Sequence, residues 1–557
     1  MMFQKDGLTT AILHYTINEE KMVEAIYINL STSRNTYTGG EVLQVARQVF
    51  LNASFIPIPM IMDFILSPWM TVGIASMLSI FLYSKWKHSL FSKLGIPGPK
   101  PKFIFGILPT YKKDGLAWTD LQLVSTYGKF IGIYHGHNPV TLIADHEMIR
   151  EICINRSDVF INRASSFDMC GTLGCAVALA DNTHWRFLNR KLSSIFSKDR
   201  IDKICPMLTE CLDTMVENIK ISSKSGQSFD FMQHCSHFSM DILMGGVIGQ
   251  KVNSAKDPEN VLIKQAHVAW IAGNAGCIRL GGICALCPPM RKVLNYFNVS
   301  PCSKDIIEFF TDITRDRINQ SDAPIRSDFL KFMTERSDND NNNSAKNKER
   351  GLTEEEITAN ILFFIMAGYD TTANALAFLA YNLATNTDCQ ERLIHEINNS
   401  IIKGDMCYDS IMDLPYLDKV VSETLRMFPP MLRFNRRASS DVTVCGRHIP
   451  RDMDVSVPIF ALHRDPEVWA DPHKFDPERF APEQVARRPT YAYVPFGAGP
   501  RHCFASKFAV FEIKLAIVHL LKHFKLESAP ETEMPPKLEK GGFARAENGI
   551  WLRVQSS

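Results

Sequence analysis

Phe496-Gly497-Ala498-Gly499-Pro500-Arg501-His502-Cys503-Phe504-Ala505 runs directly into a helical pattern from Ser506 to His523. Glycine adopts backbone conformations closed to other residues, so paired glycines let a loop wrap closely round a buried atom. The first turn of the helix that follows carries partial positive charge, which favours an anion beside it. A cysteine held there is biased toward thiolate, the form that ligates metals. A lone cysteine after a glycine-rich turn is usually structural. With phenylalanine, two glycines and arginine at these offsets, Cys503 becomes a candidate metal ligand.

Around this loop, 557 residues with 45% hydrophobic and 22% charged side chains describe a globular chain able to bury a large cofactor. A net charge of +1 supplies no concentrated basic surface, so nucleic acid is not an expected partner. Fourteen cysteines follow no repeated spacing, which fits reduced thiols rather than a disulfide framework. The CxxC pair Cys284 and Cys287 lacks the second pair a zinc site needs and is read as core.

Residues 64–83, FILSPWMTVGIASMLSIFLY, carry no charge, and a helix of that length rises roughly 30 Å, enough to cross a bilayer core. Asp63 precedes it while Lys85, Lys87 and His88 follow, so the amino end is expected in the lumen and the body in the cytosol. No small-residue cleavage site follows, which reads as a retained signal-anchor. Residues 1–60 form a mixed polar extension without a legible motif, and Met60 and Met62 stand where a shorter anchored protein would begin. Prolines 97, 99 and 101 stiffen 95–101 into a hinge. The globular body then spans 102–557, with the polar, low-complexity stretch 337–350 read as a flexible surface loop.

Apolar periodicity predicts helices over Met207 to Ile219 and Ile357 to Leu383, the latter opened by capping-box spacing between Thr353 and Glu356. Strand signals are short: Ile131 to His135, Pro139 to Ala144, and Val442 to Ile449 around the turn Cys445-Gly446-Arg447. A late pair flanking Asn548-Gly549 predicts a type I′ hairpin. The expected class is mainly α (α+β), with small sheets and no internal repeat. Midway along the long helix, Ala367-Gly368-Tyr369-Asp370-Thr371-Thr372 combines glycine with paired hydroxyls, a combination that can open a backbone hydrogen bond and admit water or dioxygen. Glu423-Thr424-Leu425-Arg426 sets a carboxylate and a guanidinium one turn apart, with Pro477-Glu478-Arg479-Phe480 downstream.

Together these segments resemble the cytochrome P450 superfamily. The cysteine loop matches its haem-ligand pattern FxxGxRxCxG at Phe496, Gly499, Arg501 and Cys503, and departs at Ala505, which adds one methyl group near the porphyrin. The resemblance runs from Ser92 to Val554. It implies the cytochrome P450 fold, a large helical domain with small β-sheets, behind an N-terminal transmembrane helix. It also implies haem b with Cys503 as axial iron ligand, and Glu423, Arg426 and Arg479 joined in a buried structural network. Asp370 and Thr371 would form the proton-delivery pair, Thr371 orienting water at the oxygen site and Asp370 passing protons from solvent. Trp185, Arg163, Arg436 and Arg501 match the family's haem-propionate partners. Where the family often has arginine four residues after the tryptophan, this chain has Asn189, leaving Arg190 as the candidate one step later.

The chain is most similar to the branch that holds microsomal drug-oxidising enzymes and thromboxane synthase. Ala384-Thr385-Asn386, Asp388-Cys389-Gln390-Glu391 and ETLRMFPPMLRF from Glu423 to Phe434 look like thromboxane synthase, which rearranges an endoperoxide and lacks the helix threonine. Because Asp370-Thr371 is present, the implied activity is a monooxygenase that inserts one atom of dioxygen into a lipophilic substrate. An endoperoxide isomerase is the alternative. A non-catalytic haem-binding protein is a third reading, in which Asp370 and Thr371 would have no purpose. No dinucleotide fingerprint follows a strand, so NADPH would act through a partner, NADPH-cytochrome P450 reductase, with Lys507 and Lys514 in its docking face. Substrate contacts are expected from Phe364, Met366, Ala367, Pro430, Met431 and Phe434. Trp270 to Pro289 would line an entrance dipping into the membrane surface. The expected location is the endoplasmic reticulum membrane, with the catalytic domain cytosolic.

Overall fold

The computed structural model describes residues 68–163, 171–224, 226–297, 299–319, 329–334, 350–400 and 406–556. The 1–60 extension, the first residues of the expected anchor at 64–67 and the loop at 337–349 lie outside them. The chain divides into two units, Met1–Tyr83 and Ser84–Ser557. In the first, the described residues are helical from Pro68, and Ile74, Met77, Leu78 and Leu82 expose their side chains. This helix, α1 (Pro68–Lys87), carries Lys85 and Lys87 in its last turn.

In the second unit, α2 (Leu108–Asp114) and α3 (Leu116–Tyr127) lead into the antiparallel pair β1 (Phe130–His135) and β2 (Asn138–Ile143), in register from Phe130↔Ile143 to His135↔Asn138. Then come α4 (Asn182–Ser193), α5 (Lys198–Ser222), β3 (Phe229–Asp230), α6 (Phe231–Ile242) and α7 (Val261–Leu286). The long α8 (Glu354–Thr385) and α9 (Pro415–Met427) follow. Strands β4 (Arg433–Arg437), β5 (Val442–Val444), β6 (Arg447–Ile449) and β7 (Asp454–Pro458) precede α10 (Ser506–Leu521), β8 (Phe524–Ser528) and β9 (Trp551–Ser556). The sheets are four-stranded β1-β2-β7-β4, three-stranded β3-β9-β8 and two-stranded β5-β6. The β2–β7 pair is parallel, because the chain returns to the sheet only after the helical body is built.

Helix α8 is the axis of that body, in contact with α6, α7, α9 and α10. Its start is strongly specified. Thr353 Oγ1 accepts from Glu356 N at 3.2 Å while the Glu356 carboxylate accepts from Thr353 N at 2.8 Å, the reciprocal capping box. Burial alone would raise the Glu356 carboxyl, but Arg350, the Thr353 N–H and His184 hold it down at about 2. By length and composition α7 and α8 could each cross a membrane, yet α8 is mostly buried core whereas α7 exposes Val261, Ile271 and Ile278.

Two local expectations fail. Gly549 has positive φ but Asn548 does not, so the turn is not type I′, and β9 pairs with β8 and β3 instead of the segment before the turn. The cause lies in α6: the Asp230 carboxylate caps it through Met232 N at 3.1 Å and also accepts from Ile550 N at 3.0 Å, drawing β9 onto β3. A Cβ at Gly549 would sit 2.8 Å from the Asp230 oxygens, so glycine there serves a long-range contact. Of the CxxC pair only Cys284 is core; Cys287, just past the end of α7, is exposed.

Candidate active site

A cavity of about 240 Å³ lies between α8, the β4 region and the cysteine loop. The loop is closed by Cys503 N donating to Phe496 O at 2.9 Å and His502 N to Gly499 O at 2.9 Å. Gly499 has φ of 74°, and a Cβ there would lie 2.0 Å from the Cys153 carbonyl oxygen, so no side chain fits. Cys503 and Phe496 both line the cavity. Burial pushes the Cys503 thiol up, opposed by the Ala505 N–H and by Arg163, so the protein alone favours the neutral thiol, against the expectation from the loop and helix start.

Trp185, Arg163, Arg436 and Arg501 line the same cavity. Arg501 donates to the carbonyls of Ile161 at 2.9 Å, Val177 at 3.2 Å and Ala180 at 2.6 Å, with its guanidinium carbon 4.4 Å from the Trp185 ring centroid. Arg436 donates to Asn435 O and Ala498 O. The Arg163 Nε is buried without a hydrogen-bond partner. Burial and mutual repulsion lower Arg163 to about 10 and Arg501 to about 9. Among the described residues no ion pair joins any of the three to a carboxylate. Three buried cations on one cavity call for a bound anion. Asn189 lines the cavity and Arg190 is exposed outside it, so Arg190 is withdrawn: one step along a helix turns a side chain by about 100°.

On α8, Phe364, Ala367 and Thr371 face the cavity, as do Pro430, Met431 and Phe434 after α9. Met366 does not. Its sulfur would stand 2.6 Å from a Cβ at Gly273, so it packs against α7. No residue of Trp270 to Pro289 lines the cavity; Trp270 instead packs on Tyr369, ring centroids 5.3 Å apart. Thr371 Oγ1 donates to Ala367 O at 2.6 Å. Asp370 points elsewhere, its Oδ1 3.8 Å from Arg545 Nη1, while Arg545 Nε lies 3.4 Å from Glu539 Oε1. Burial raises the Asp370 carboxyl against the pull of Arg545.

Behind the cavity, Arg426 binds Glu423 through Nε at 2.7 Å and Nη2 at 2.9 Å, both side chains being fully buried. Arg479 Nε approaches Glu423 Oε1 at 3.3 Å, and Arg426 Nη1 donates to His463 O and Pro472 O. Of the expected docking lysines, Lys507 is exposed but Lys514 is fully buried, donating to Met412 O at 3.2 Å and pairing with Asp418 at 3.0 Å. Lys514 is therefore withdrawn from any docking face.

Sequence reasoning missed two residues beside the 367–372 segment of α8, which stays helical throughout. Ser239 on α6 donates to Tyr369 O at 2.8 Å, with Gly368 O at 3.3 Å, so a neighbouring hydroxyl serves these helix carbonyls. Glu512 on α10 lines the cavity and meets Thr372 Oγ1 at 3.4 Å; a lone carboxylate in the apolar run FAVFEIKLAIV was the available signal. Burial raises Glu512 from 4.5 to about 8. The unfolded chain loses this proton near its ordinary value, the folded chain only near 8, so Glu512 costs nothing below about pH 4 and its cost grows as pH rises to 8. At pH 7 that cost is roughly 3 kcal/mol. Glu512→Gln is expected to raise the urea midpoint at pH 7 to 8 and leave it unchanged at pH 4; an equal shift at both would contradict the buried, protonated carboxyl.

A helical body with an apolar cavity, a loop-held cysteine and three uncompensated arginines defines an enzyme built round an anionic, metal-bearing cofactor. A family model for cytochrome P450 matches residues 96–554. The chain is 33% identical to cytochrome P450 3A13 of Mus musculus over 503 residues, covering 89% of this chain and 98% of that protein. It is 32% identical to cytochrome P450 3A9 of Rattus norvegicus over 502 residues, 89% and 98% of the two chains. With cytochrome P450 3A5 of Homo sapiens the identity is 33% over 494 residues, 88% and 96% of the two. The chain belongs to the cytochrome P450 family and is a haem-thiolate monooxygenase of lipophilic substrates. The resemblance to thromboxane synthase finds no support in these relatives.

Proposed function

We propose that Cys503 ligates the iron of haem b, and that the enzyme inserts one atom of dioxygen into its substrate with electrons drawn from NADPH through a reductase. The observation that carries this reading is that Cys503 and Thr371 line one cavity. Arg163, Arg436, Arg501 and Trp185 would bind the propionates, the orphaned Arg163 Nε being the clearest unmet donor. Haem bound there supplies dioxygen activation, with the thiolate pushing electron density toward the metal.

The chain's own residues supply the rest. Phe364, Ala367, Pro430, Met431 and Phe434 exclude water and hold an apolar substrate. Thr371 Oγ1, anchored on Ala367 O, keeps acceptor lone pairs for a water in the cavity. Asp370 Oδ1 exchanges protons with solvent past Arg545 and Glu539, both partly exposed. The segment 64–83 anchors the protein in the endoplasmic reticulum membrane, with Lys85 and Lys87 marking the cytosolic side.

Thr371→Ala is expected to lower product formation roughly 10²-fold while NADPH consumption continues and peroxide is released. Product and peroxide yields per NADPH are the measurement; tight coupling in the variant would remove Thr371 from proton delivery. Turnover of an endoperoxide with the reductase omitted would favour the isomerase reading.

A further inference from the structure

Four arginines line the central cavity, and one of them is held differently from the rest. Arg163, Arg436 and Arg501 pair with no carboxylate among the described residues, which leaves their charge for the cofactor. Arg433, the first residue of β4, is already paired. Its Nε donates to Asp120 Oδ2 at 2.5 Å, and its Nη2 donates both to Asp120 Oδ1 and to the Tyr111 hydroxyl. Nη1 lies 3.4 Å from His135 Nε2. Tyr111 on α2 in turn donates to Asp120 Oδ1 at 3.2 Å, so the carboxylate on α3 is held from two sides. Asp120 and Tyr111 are buried, and neither lines the cavity.

The charges follow from these contacts. Burial draws the Arg433 guanidinium down, but Asp120 and Tyr111 together hold it above its ordinary value, and it stays charged. Burial acts to raise the Asp120 carboxyl, yet two charge-assisted bonds from a guanidinium that cannot be deprotonated keep it ionised. Burial and Arg433 lower His135 to about 3, so its imidazole is neutral. Glu512, raised to about 8, is protonated at neutral pH. Apart from the three arginines left for the cofactor, the buried charges round the cavity therefore cancel.

A carboxylate that leaves water for an apolar cavity needs a cation with two free donors side by side. Arg433 stands between Met431 and Phe434, in the segment that holds the substrate. Four of its five N–H groups are engaged by Asp120, Tyr111 and His135, so it has no such pair to offer. We propose that Asp120 is a specificity-determining residue: by neutralising Arg433 it keeps the substrate space without net charge, so that the enzyme takes uncharged lipophiles and rejects lipophilic carboxylates. The inference rests on the monooxygenase reading above, and the two fail separately. A reduced protein without the thiolate-type Soret band in its carbon-monoxide difference spectrum sinks that reading; an intact band with no discrimination between acid and ester sinks this one.

The test titrates the full-length haem-loaded protein at pH 8 with dodecanoate and with methyl dodecanoate, which share a chain length and differ in charge. Binding is read from the ligand-induced shift of the Soret band. The parent protein is expected to bind the ester about tenfold more tightly or better, and equal affinity would overturn the proposal. Asp120→Asn keeps the shape of the side chain but uncovers the cation, and should narrow the ratio roughly tenfold by tightening the acid. Asp120→Asn/Arg433→Gln removes both charges and should restore the parent ratio. A pair that merely tied α3 to β4 would lower the urea midpoint on substitution without moving the ratio, so an unchanged ratio in Asp120→Asn with an intact carbon-monoxide spectrum overturns the role in specificity. Should Asp120→Asn fail to hold haem, the parent ratio and that of the double variant still decide, since equal binding of acid and ester in either contradicts the proposal.

Discussion

Cys503→Ser is expected to give a protein that folds yet lacks the thiolate-type Soret band in the carbon-monoxide difference spectrum of its reduced form, with monooxygenase activity at background. The loop does not depend on the sulfur for its shape. It is closed by the backbone bonds from Cys503 N to Phe496 O and from His502 N to Gly499 O, and Gly499 fits against Cys153 O whatever occupies position 503. What serine removes is the soft anionic ligand: a hydroxyl resists ionisation and pushes far less electron density toward iron. Far-ultraviolet circular dichroism matching the parent, beside the lost band, is the expected pair of results. An unchanged Soret band in the serine variant would disprove ligation by Cys503, and the proposed chemistry with it.

Glu423→Ala is expected to cost about 3–5 kcal/mol, the penalty for stranding a buried guanidinium. Glu423 accepts from Arg426 Nε, Arg426 Nη2 and Asp476 N, all within 2.9 Å, so its removal leaves donors on two segments unmet. Arg426 itself ties α9 to His463 O and Pro472 O, and the loss therefore spreads to the segment ahead of the cysteine loop. Urea denaturation, together with the fraction of purified protein that retains haem, measures it. Arg426→Lys should recover little, because a lysine cannot reproduce two parallel donors to one carboxylate while also reaching two carbonyls. Near-native stability in Glu423→Ala would show that the cluster is not a structural tie.

The features legible in the sequence were those with local signatures. The Thr353–Glu356 capping box is written in four residues and forms as read. The apolar periodicity of α5 survives because the core imposes the same period on a helix that packs one face, while α8 is apolar on nearly every side and is buried accordingly. The failures share a different cause. Met366, Arg190 and Lys514 each lie close in sequence to residues that do face the cavity or its loop, yet their direction depends on which neighbour a helix meets. Met366 meets Gly273, and Lys514 meets Asp418 and Met412. The late turn failed likewise, because Asp230, some three hundred residues upstream, holds Ile550.

The sequence by itself determined the family and the mainly helical class, since each rests on residue types at short spacings that set backbone conformation directly. Only the tertiary structure decided that Asp370 turns toward Arg545 while Thr371 faces the cavity, and that Glu512 joins that cavity from another helix. It alone gathered three arginines round one space. These are matters of side-chain direction among elements distant in the chain, and close packing of whole helices fixes them where no local preference can.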